Sequence, residues 1–472
     1  MNRKTLQNLT FVLILLIAFG GLVWWLMVDP TAKFSESVPG MDNQPADLGS
    51  MVAEVEIGQY FTRFDSIESP LTGKWPRFRG VNFDNKSPMH TEVNWNTAGP
   101  RIAWSVDLGE GHAAPAIYNG RVYLLDYDEE IRADMLRCFS LEDGRELWRR
   151  WYDNPLKRNH GMSRTIPAVN DSFVVTIGPN CHVMCVKTGS GDLLWGKDLV
   201  HEFGSEVPMW YTGQCPLLTD SVAVLAPGGT DTLIMGVNCR NGEILWYTPN
   251  PDHWGMSHSS IMPVTYQGVN MYIYSAIGGI VGIAADGDSV GQILWKSPAW
   301  NPNVIAPSPV FMPDGRLFVT AGYGAGSMLF QLQKVGDAFS LQTLDKYEPK
   351  DGLASEQQTP ILYNGHLFCI LPKDAGPERN QMVCCDPNDL HHFTWTSGKT
   401  TRFGLGPFIL LDDKFFILSD DGILTVAQAD IRQYRQIASA KVLDGHDAWG
   451  PIAVADGRLL CRDSKKLVCI QL

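Results

Sequence analysis

Residues 115–148 read PAIYNGRVYLLDYDEEIRADMLRCFSLEDGRELW, and the pattern of this stretch returns along most of the chain. It contains a proline, apolar segments separated by an Asn-Gly turn, and an Asp-Gly turn that leads into Leu-Trp. Short turns of this kind connect neighbouring antiparallel strands. The stretch therefore predicts one small antiparallel sheet.

The proline that opens this unit recurs with similar surroundings at intervals of 44 to 52 residues. That interval is the length of one four-stranded blade of a β-propeller. The repeat predicts an all-β, eight-bladed β-propeller. Its eight prolines are Pro115, Pro167, Pro216, Pro263, Pro309, Pro360, Pro407 and Pro451.

A tryptophan keeps the same interval as the proline. Most of these tryptophans follow a glycine turn by a few residues, and a buried aromatic side chain of this size removes roughly 150–250 Å² from water. We therefore expect each tryptophan to hold two neighbouring blades together. The blade around residues 344–347 lacks its tryptophan and departs from the pattern. The tryptophans are Trp104, Trp148, Trp195, Trp246, Trp295 and Trp395.

The two ends of the repeat region complement each other. The last repeat, residues 451–472, has three strands, while an extra strand at residues 101–107 precedes the first complete repeat. Pairing between these ends would close the ring and remove the exposed sheet edges that an open propeller would have. We predict that residues 101–107 pair with the C-terminal strand.

The N-terminus has the pattern of a membrane-spanning helix. After Arg3 and Lys4 no charge occurs until residue 29, and the apolar residues 11–28 would form a helix about 27 Å long, enough to cross a bilayer. The basic residues place the N-terminus in the cytoplasm. This predicts a single-pass protein of a bacterial inner membrane with the propeller on the periplasmic side. The alternative is a cleaved signal peptide, although no small-x-small cleavage site follows.

These features divide the chain into three parts. Residues 1–29 form a cytoplasmic stub and transmembrane helix, residues 30–73 form a flexible tether, and residues 74–472 form the propeller. Within the tether, the apolar spacing over residues 50–61 allows a short helix.

Charge and cysteine content exclude some classes of function. The formal net charge of -13 argues against nucleic-acid binding, which depends on basic side chains. The ten cysteines form no Cys-x-x-Cys pair and no Cys/His cluster at zinc spacing, so we expect no metal site. Several lie in apolar stretches, where we expect them to act as small buried hydrophobic residues.

Three motifs together indicate a family. Trp75-Pro-Arg-Phe-Arg-Gly80, then Trp104-Ser-Val-Asp-Leu-Gly109, and the repeated Gly-x-x-Leu-Trp pattern make residues 74–472 resemble the pyrroloquinoline-quinone-like (PQQ-like) propeller proteins. This family is related to the quinoprotein alcohol dehydrogenases and to the propeller lipoprotein of the outer-membrane β-barrel assembly machinery. The resemblance implies an eight-bladed propeller.

For the dehydrogenase branch, the resemblance implies a quinone and Ca²⁺ in the central channel, a tryptophan beneath the quinone, an acidic base and a disulfide between adjacent cysteines. The adjacent Cys384 and Cys385 match a third blade strand instead, which indicates a structural role. Calcium needs six to eight oxygen ligands, and the segments at the channel entrance contain few carboxylates. We therefore expect no cofactor and no catalytic residues.

A binding site would lie at the channel rim, because the residues just before each repeat proline meet there. Arginines and aromatic side chains in such a ring suit an anionic or aromatic ligand. The alternative is that these groups only satisfy one another and channel water. His446 beside Asp447 has the order of an oriented general base. The candidate ligand-binding residues are His112, Arg164, Trp210, Tyr211, Gln214, His258, Glu356, Gln358, Arg402, Asp447 and Trp449.

Three functional hypotheses follow. The first is a membrane-anchored, non-catalytic module that binds or scaffolds envelope proteins. The second is a PQQ-dependent alcohol or sugar dehydrogenase with the cofactor in the channel, in which Glu356 or Asp447 would serve as the base. The third is a sensory ectodomain, although the few cytoplasmic residues are too short to signal alone.

Overall fold

The computed structural model describes residues 2–27, 54–64, 69–93, 95 and 99–472. It contains two compact units, residues 1–44 and residues 45–472. In the first, helix α1 (Arg3–Met27) is about 37 Å long and is apolar enough to cross a membrane by length and composition. A signal sequence near the N-terminus has the same properties, so the anchor stays a prediction.

The second unit is built from strands that form eight sheets around a common channel. The early strands are β1 (Tyr60–Arg63), β2 (Lys74–Trp75), β3 (Lys86–Ser87) and β4 (Arg101–Asp107). Blade 1 contains β5 (Ala116–Tyr118), β6 (Arg121–Asp128), β7 (Ala133–Ser140) and β8 (Glu146–Asp153), and blade 2 contains β9 (Ala168–Val169), β10 (Phe173–Ile177), β11 (His182–Lys187) and β12 (Leu193–Asp198). Blade 3 contains β13 (Leu217–Thr219), β14 (Val222–Leu225), β15 (Thr232–Asn238) and β16 (Ile244–Pro249), and blade 4 contains β17 (Met262–Tyr266), β18 (Val269–Ala276), β19 (Gly279–Ala284) and β20 (Ile293–Ser297).

Blades 5 to 8 continue the series, and a short helix α2 (Leu199–Phe203) lies between blades 2 and 3 in the sequence. Blade 5 contains β21 (Val310–Phe311), β22 (Arg316–Ala321), β23 (Gly326–Val335) and β24 (Ala338–Tyr347), and blade 6 contains β25 (Ile361–Tyr363), β26 (His366–Ile370), β27 (Met382–Cys385) and β28 (Phe393–Thr396). Blade 7 contains β29 (Phe408–Leu411), β30 (Lys414–Leu418), β31 (Ile423–Gln428) and β32 (Gln436–Lys441), and blade 8 contains β33 (Ala453–Ala455), β34 (Arg458–Arg462) and β35 (Lys466–Gln471). The predicted eight-bladed propeller is confirmed.

The ring closes as predicted from the two ends of the repeat. Strand β35 pairs antiparallel with β4, so that Cys469 lies opposite Trp104 and Lys466 opposite Asp107. Blade 8 therefore contains three strands from the C-terminus and one strand from before blade 1.

Two-residue turns between the first and second strands set the pairing within the blades. In blade 1, Asn119 and Gly120 both have positive φ, +47° and +74°. Positive φ at both positions defines the turn type whose twist matches antiparallel strands, and asparagine and glycine adopt it most readily. The Asn-Gly dipeptide in the repeat therefore fixes the start of each hairpin in which it occurs.

The tryptophans join neighbouring blades, as predicted. Trp104 in blade 8 donates through Nε1 to the carbonyl oxygen of Leu141 in blade 1 at 3.0 Å, and Trp195 donates to Cys239 of the next blade at 3.0 Å. A Cβ on Gly144 would lie 2.6 Å from the ring of Trp104. The Asp-Gly turn thus needs glycine because the indole of the preceding blade packs directly against its backbone.

A small residue lies opposite each of these tryptophans on the third strand of the same blade. The residue is a cysteine in four blades and a glycine in two, because a larger side chain would collide with the indole. All ten cysteines are buried, which confirms their interpretation as small hydrophobic residues. The pairs are Cys138 with Trp148, Cys185 with Trp195, Gly236 with Trp246, Gly282 with Trp295, Cys384 with Trp395 and Cys469 with Trp104.

Two blades lack the tryptophan. Asp345 takes its register position in blade 5, which confirms the departure predicted there, and Ala438 takes it in blade 7. In blade 5 the contact to the next blade is made instead by Tyr347, whose ring meets His391 at 4.8 Å between centroids.

The segment predicted as a tether includes residues that belong to the propeller's sheets. Tyr60–Arg63 forms strand β1 on the outer edge of blade 1, so the helix expected over residues 50–61 is absent from its described part, residues 54–61. Residues 50–53 of that prediction lie outside the described residues, as do residues 30–49 and 65–68 of the predicted tether and residues 28–29 of the predicted transmembrane part. Pairing with β8 gives this segment a regular hydrogen-bond partner, which overrides its weak helical spacing.

Candidate functional site

The family motif at residues 75–80 closes one end of the central channel. Strand β2 pairs with the innermost strand of blade 1, with Trp75 opposite Ile117. After crossing the channel, strand β3 pairs in parallel with the innermost strand of blade 7, with Lys86 opposite Leu410. We call residues 74–87 the plug.

Arg79 holds the plug in place through backbone carbonyls. Its Nε donates to Phe83 at 2.8 Å, and its two Nη atoms donate to Thr359 at 3.0 Å and Pro360 at 3.2 Å. Burial lowers the pKa of Arg79 to about 10, which leaves the guanidinium charged at neutral pH. Nearby, Arg77 donates to Leu218 of blade 3 at 3.3 Å. The motif's arginines thus tie the plug to blades on opposite sides of the channel.

Above the plug lies a cavity of about 130 Å³. Phe78, Arg79 and Asn85 of the plug line it, together with residues from the starts of the innermost strands. Drug-sized ligands usually occupy roughly 300–1,000 Å³, so this cavity suits water or a small polar molecule. Seven of the predicted rim residues line it: His112, Arg164, Trp210, His258, Glu356, Gln358 and Trp449.

Stacked rings occupy much of the channel entrance. The ring of Trp210 stacks on Tyr323 at 5.3 Å and on His258 at 6.4 Å between centroids. Across the entrance, His112 lies 4.9 Å from Trp449. Tyr323 was not predicted, because it lies in the turn after β22 rather than before a repeat proline.

Both cavity histidines are neutral at physiological pH. Burial, together with the charge of Arg164, lowers the pKa of His258 to about 3. Burial lowers the pKa of His112 as well, assisted by Arg164 and Arg462. Neither imidazole is therefore poised to exchange protons near neutral pH.

Arg164 is held by the protein backbone rather than by a carboxylate. Its Nε donates to Trp210 at 2.5 Å, and Nη2 donates to His160 at 2.6 Å and to Asn159 at 3.2 Å. Burial lowers its pKa to about 10, so it stays charged. Its hydrogen bonds orient the rim loop that contains Trp210.

Glu356 is the one carboxylate among the residues lining the cavity. Burial raises its pKa, and the Lys373 ammonium, 3.9 Å away, together with the Lys373 N–H at 3.3 Å opposes that rise. Behind the cavity wall, Asp420 accepts a hydrogen bond from Trp449 Nε1 at 2.9 Å. These carboxylates serve to position the lysine and the indole.

The other predicted residues lie outside the cavity lining. The hydroxyl of Tyr211 donates to Lys157 at 2.7 Å, Gln214 is fully buried against Ala226 and Tyr274, and Arg402 donates to backbone carbonyls that include Pro377 at 2.8 Å. Tyr211 and Arg402 thus support loops, and Gln214 connects blade 3 to Tyr274 of blade 4. The structure does not bring them together with the cavity residues, so their role in ligand binding stays a prediction.

The pair His446 and Asp447 forms a 2.8 Å hydrogen bond between Nδ1 and Oδ2, but both side chains face solvent, with exposed fractions of 79% and 41%. Asp447 does not line the cavity. Within residues 2–27, 54–64, 69–93, 95 and 99–472, no group of three or more His, Cys, Asp or Glu side chains is placed to hold a metal ion.

The residues of the channel do not match a quinone bound with calcium. Cys384 and Cys385 lie in β27, the third strand of blade 6, where both are buried away from the cavity lining. Six to eight oxygen ligands are needed for Ca²⁺, and Glu356 is the single carboxylate of the lining.

The chain resembles known proteins at the level of family model and fold. Residues 132–330, less than half of the chain, match the family model described as outer membrane protein assembly factor BamB. No curated protein matches the chain. The structure of BamB from Moraxella catarrhalis is 12% identical, with 79% of this chain and 100% of that chain covered and a TM-score of 0.51.

Two quinohemoprotein alcohol dehydrogenases share the fold as well. ADHIIG from Pseudomonas putida HK5 is 12% identical, covering 85% of this chain and 80% of that chain with a TM-score of 0.59. The enzyme from Comamonas testosteroni is 11% identical, with 84% of this chain and 80% of that chain covered and a TM-score of 0.58. The family resemblance inferred from the sequence is confirmed, and at these identities the similarity shows the fold alone.

Proposed function

We propose that this chain is a membrane-anchored periplasmic propeller that binds or scaffolds envelope proteins and catalyses no reaction. The observation that supports this most strongly is the filled channel. The plug closes one end and the stacked rings of His112, Trp210, Tyr323, His258 and Trp449 narrow the other, which leaves about 130 Å³. We therefore infer that this propeller binds its partners on its outer surfaces.

The envelope setting rests on two observations of different kinds. The matched family model concerns an outer membrane protein assembly factor, which works in the bacterial envelope. Helix α1 is long and apolar enough to hold the chain in a membrane. Both favour a protein that keeps its propeller beside a membrane and there contacts other envelope proteins.

Dehydrogenase activity is the competing function, favoured by the presence of Arg164, Trp210 and Glu356 in one cavity. The test uses the purified full-length chain in detergent with PQQ, Ca²⁺, a panel of alcohols and sugars, and a dye that accepts electrons. We expect no turnover above that of free quinone. Quinone-dependent turnover that is lost in Glu356→Gln and kept in Asp447→Asn, a carboxylate outside the cavity, would overturn the proposal.

Anchoring is tested on membranes from cells that produce the full-length chain. We expect the protein to stay in the membrane fraction through high-salt and alkaline washes, to be released by detergent, and to retain its original N-terminus by mass spectrometry. Protease added to spheroplasts should digest the propeller. A soluble mature chain that begins after residue 27 would instead establish a cleaved signal peptide.

A further inference from the structure

Strand β16 of blade 3 is the most apolar exposed strand of the propeller. Ile244, Leu245 and Tyr247 are 39%, 50% and 59% exposed, whereas every other described strand contributes at most one exposed large hydrophobic residue. Trp246 is also half-buried, while the other five blade-joining tryptophans are at most 9% exposed. Three neighbouring apolar side chains in solvent indicate an interaction surface.

The outer edge of β16 is unpaired within the described part of the chain, since the sheet of blade 3 ends at this strand. An exposed apolar edge strand offers a row of N–H and C=O groups to other chains, and proteins usually cover such an edge. Here the strand keeps both its free edge and its apolar side chains.

Blade 1 shows how the equivalent edge is covered. Strand β1 adds antiparallel to the outer strand β8 over four residue pairs, from Tyr60 opposite Trp151 to Arg63 opposite Trp148. The rings of Tyr60 and Trp151 stack at 5.6 Å between centroids. The outer edge of a blade in this fold therefore accepts an added strand from an extended segment.

The neighbouring blade fixes β16 in a single conformation. Thr248 donates through Oγ1 to Gly291 at 2.7 Å, and the ring of Trp246 stacks on Tyr272 at 6.1 Å. A preordered edge loses little conformational entropy on binding. The pairing of β16 with β15 has a bulge between Ile244 and Trp246, and Pro249 has no N–H to donate, so an added strand would pair with residues 245–248, which correspond in register to residues 147–150 of β8.

We propose that β16 is the docking edge for an extended strand of a partner envelope protein, which pairs antiparallel with residues 245–248 and packs apolar side chains on Leu245 and Tyr247. This inference rests on the proposed scaffolding function and names its surface. The main-chain hydrogen bonds would supply affinity, and the side chains of alternate residues would supply specificity.

Photo-crosslinking of the full-length chain in its own membranes tests the inference. The photoreactive residue p-benzoylphenylalanine is placed at Leu245 in one variant and at Tyr247 in another, and the attached peptides are mapped by mass spectrometry. We expect one partner protein, attached at sites two residues apart and in reverse order, as antiparallel strands require. The same probe at Arg149, the equivalent position of β8, should attach to Thr62 of its own chain.

A substitution separates a specific dock from chance proximity. Tyr247→Asp, combined with the probe at Leu245, should lower adduct yield about tenfold, whereas Ile293→Asp on blade 4 should leave it unchanged. Three results would each overturn the inference. The first is adducts with a second copy of this chain, and the second is adducts whose partner sites for the two probes are not two residues apart. The third is no adduct at all when the Arg149 probe succeeds. Quinone-dependent turnover with these adducts intact would refute the proposed function and leave the docking edge standing.

Discussion

Single residues hold the channel closed, and Arg79 is the main one. Its three hydrogen bonds satisfy carbonyls from the plug and from blade 6, and the two to Thr359 and Pro360 are buried, where a lost donor is costly to replace. The motif at residues 75–80 was visible in the sequence as a family feature. Its role was not, because nothing in local sequence shows which distant carbonyls an arginine will reach.

Replacing Arg79 should destabilise the propeller strongly. Arg79→Met leaves two buried acceptors and one partly buried acceptor without a donor, so we expect a loss of about 3 kcal/mol or more in the free energy of unfolding by denaturant titration. Arg77→Met is the matched control, since Arg77 makes one longer bond at 3.3 Å, and should cost about 1 kcal/mol. Equal losses in the two variants would contradict the assigned role of Arg79.

The small residue opposite each tryptophan gives a second prediction at this scale. A Cβ on Gly282 would lie 2.2 Å from the ring of Trp295, so Gly282→Ala should cost about 1–3 kcal/mol by chemical denaturation. Adding Trp295→Leu should remove part of that cost, because the collision partner is gone. Gly189→Ala, whose nearest neighbour would be 3.9 Å away, is the control. No coupling between Gly282 and Trp295 would refute the packing argument.

At the scale of elements, blades 1 and 2 share a buried polar network. Asp134 of β7 accepts from the Tyr152 hydroxyl at 2.7 Å, and His182 Nδ1 of β11 lies 3.2 Å from that hydroxyl. His182 in turn lies 3.5 Å from Asp198, which caps α2. Burial raises the pKa of Asp134 to about 6. Although burial opposes it, hydrogen bonds from His182 and His201 lower the pKa of Asp198.

This network predicts how stability depends on pH. Folding raises the pKa of the Asp134 carboxyl from about 3.8 to about 6, so between these pH values the carboxyl is protonated in the folded state and ionised in the unfolded state. The stability that this proton gives the folded state is therefore lost as pH rises through that range. The pKa of Asp198 is lowered by folding, so its contribution depends on pH in the opposite direction: stability is lost only as pH falls below the pKa of Asp198 in the unfolded state. Asp134→Asn should flatten the decline between pH 4 and 7 in thermal melts. An unchanged slope would exclude Asp134 as its source.

The strands that follow the repeat were predictable, and those outside it were not. The Asn-Gly turns and the tryptophan interval carried enough information to place the blades, because turn conformation and close packing restrict the residue type. Strands β1 to β3 lack such restrictions, because each depends on an edge supplied by residues far away in the chain. The absence of the tryptophan from blade 7 was not predicted, because alanine at position 438 is compatible with the alternating pattern of a strand.

For the whole molecule, closure of the ring determines stability. Strand β35 joins the two ends, so deleting residues 466–472 should abolish cooperative unfolding or lower the melting temperature sharply. Deleting residues 1–27 should leave the melting temperature of the propeller unchanged, because the helix belongs to a separate unit. A C-terminal truncation that melts like the intact chain would contradict closure through β4 and β35.

The candidate site shows the limit of reasoning from sequence. The rule that residues before each repeat proline meet at the rim placed seven of eleven candidates around one cavity. It could not place Tyr211 and Arg402, whose side chains bond loop backbone, Gln214, which is buried against Ala226 and Tyr274, or Asp447, which faces solvent. Asp447 has φ of +56°, a backbone conformation that no spacing rule anticipates.

The most direct measurement is a crystal structure of the full-length chain incubated with PQQ and Ca²⁺. We predict that residues 74–87 and the rings of Trp210, Tyr323 and Trp449 stay in the channel, with no quinone bound there. A quinone seated in the channel, with those rings or the plug displaced and oxygen ligands gathered around a calcium ion, would contradict it.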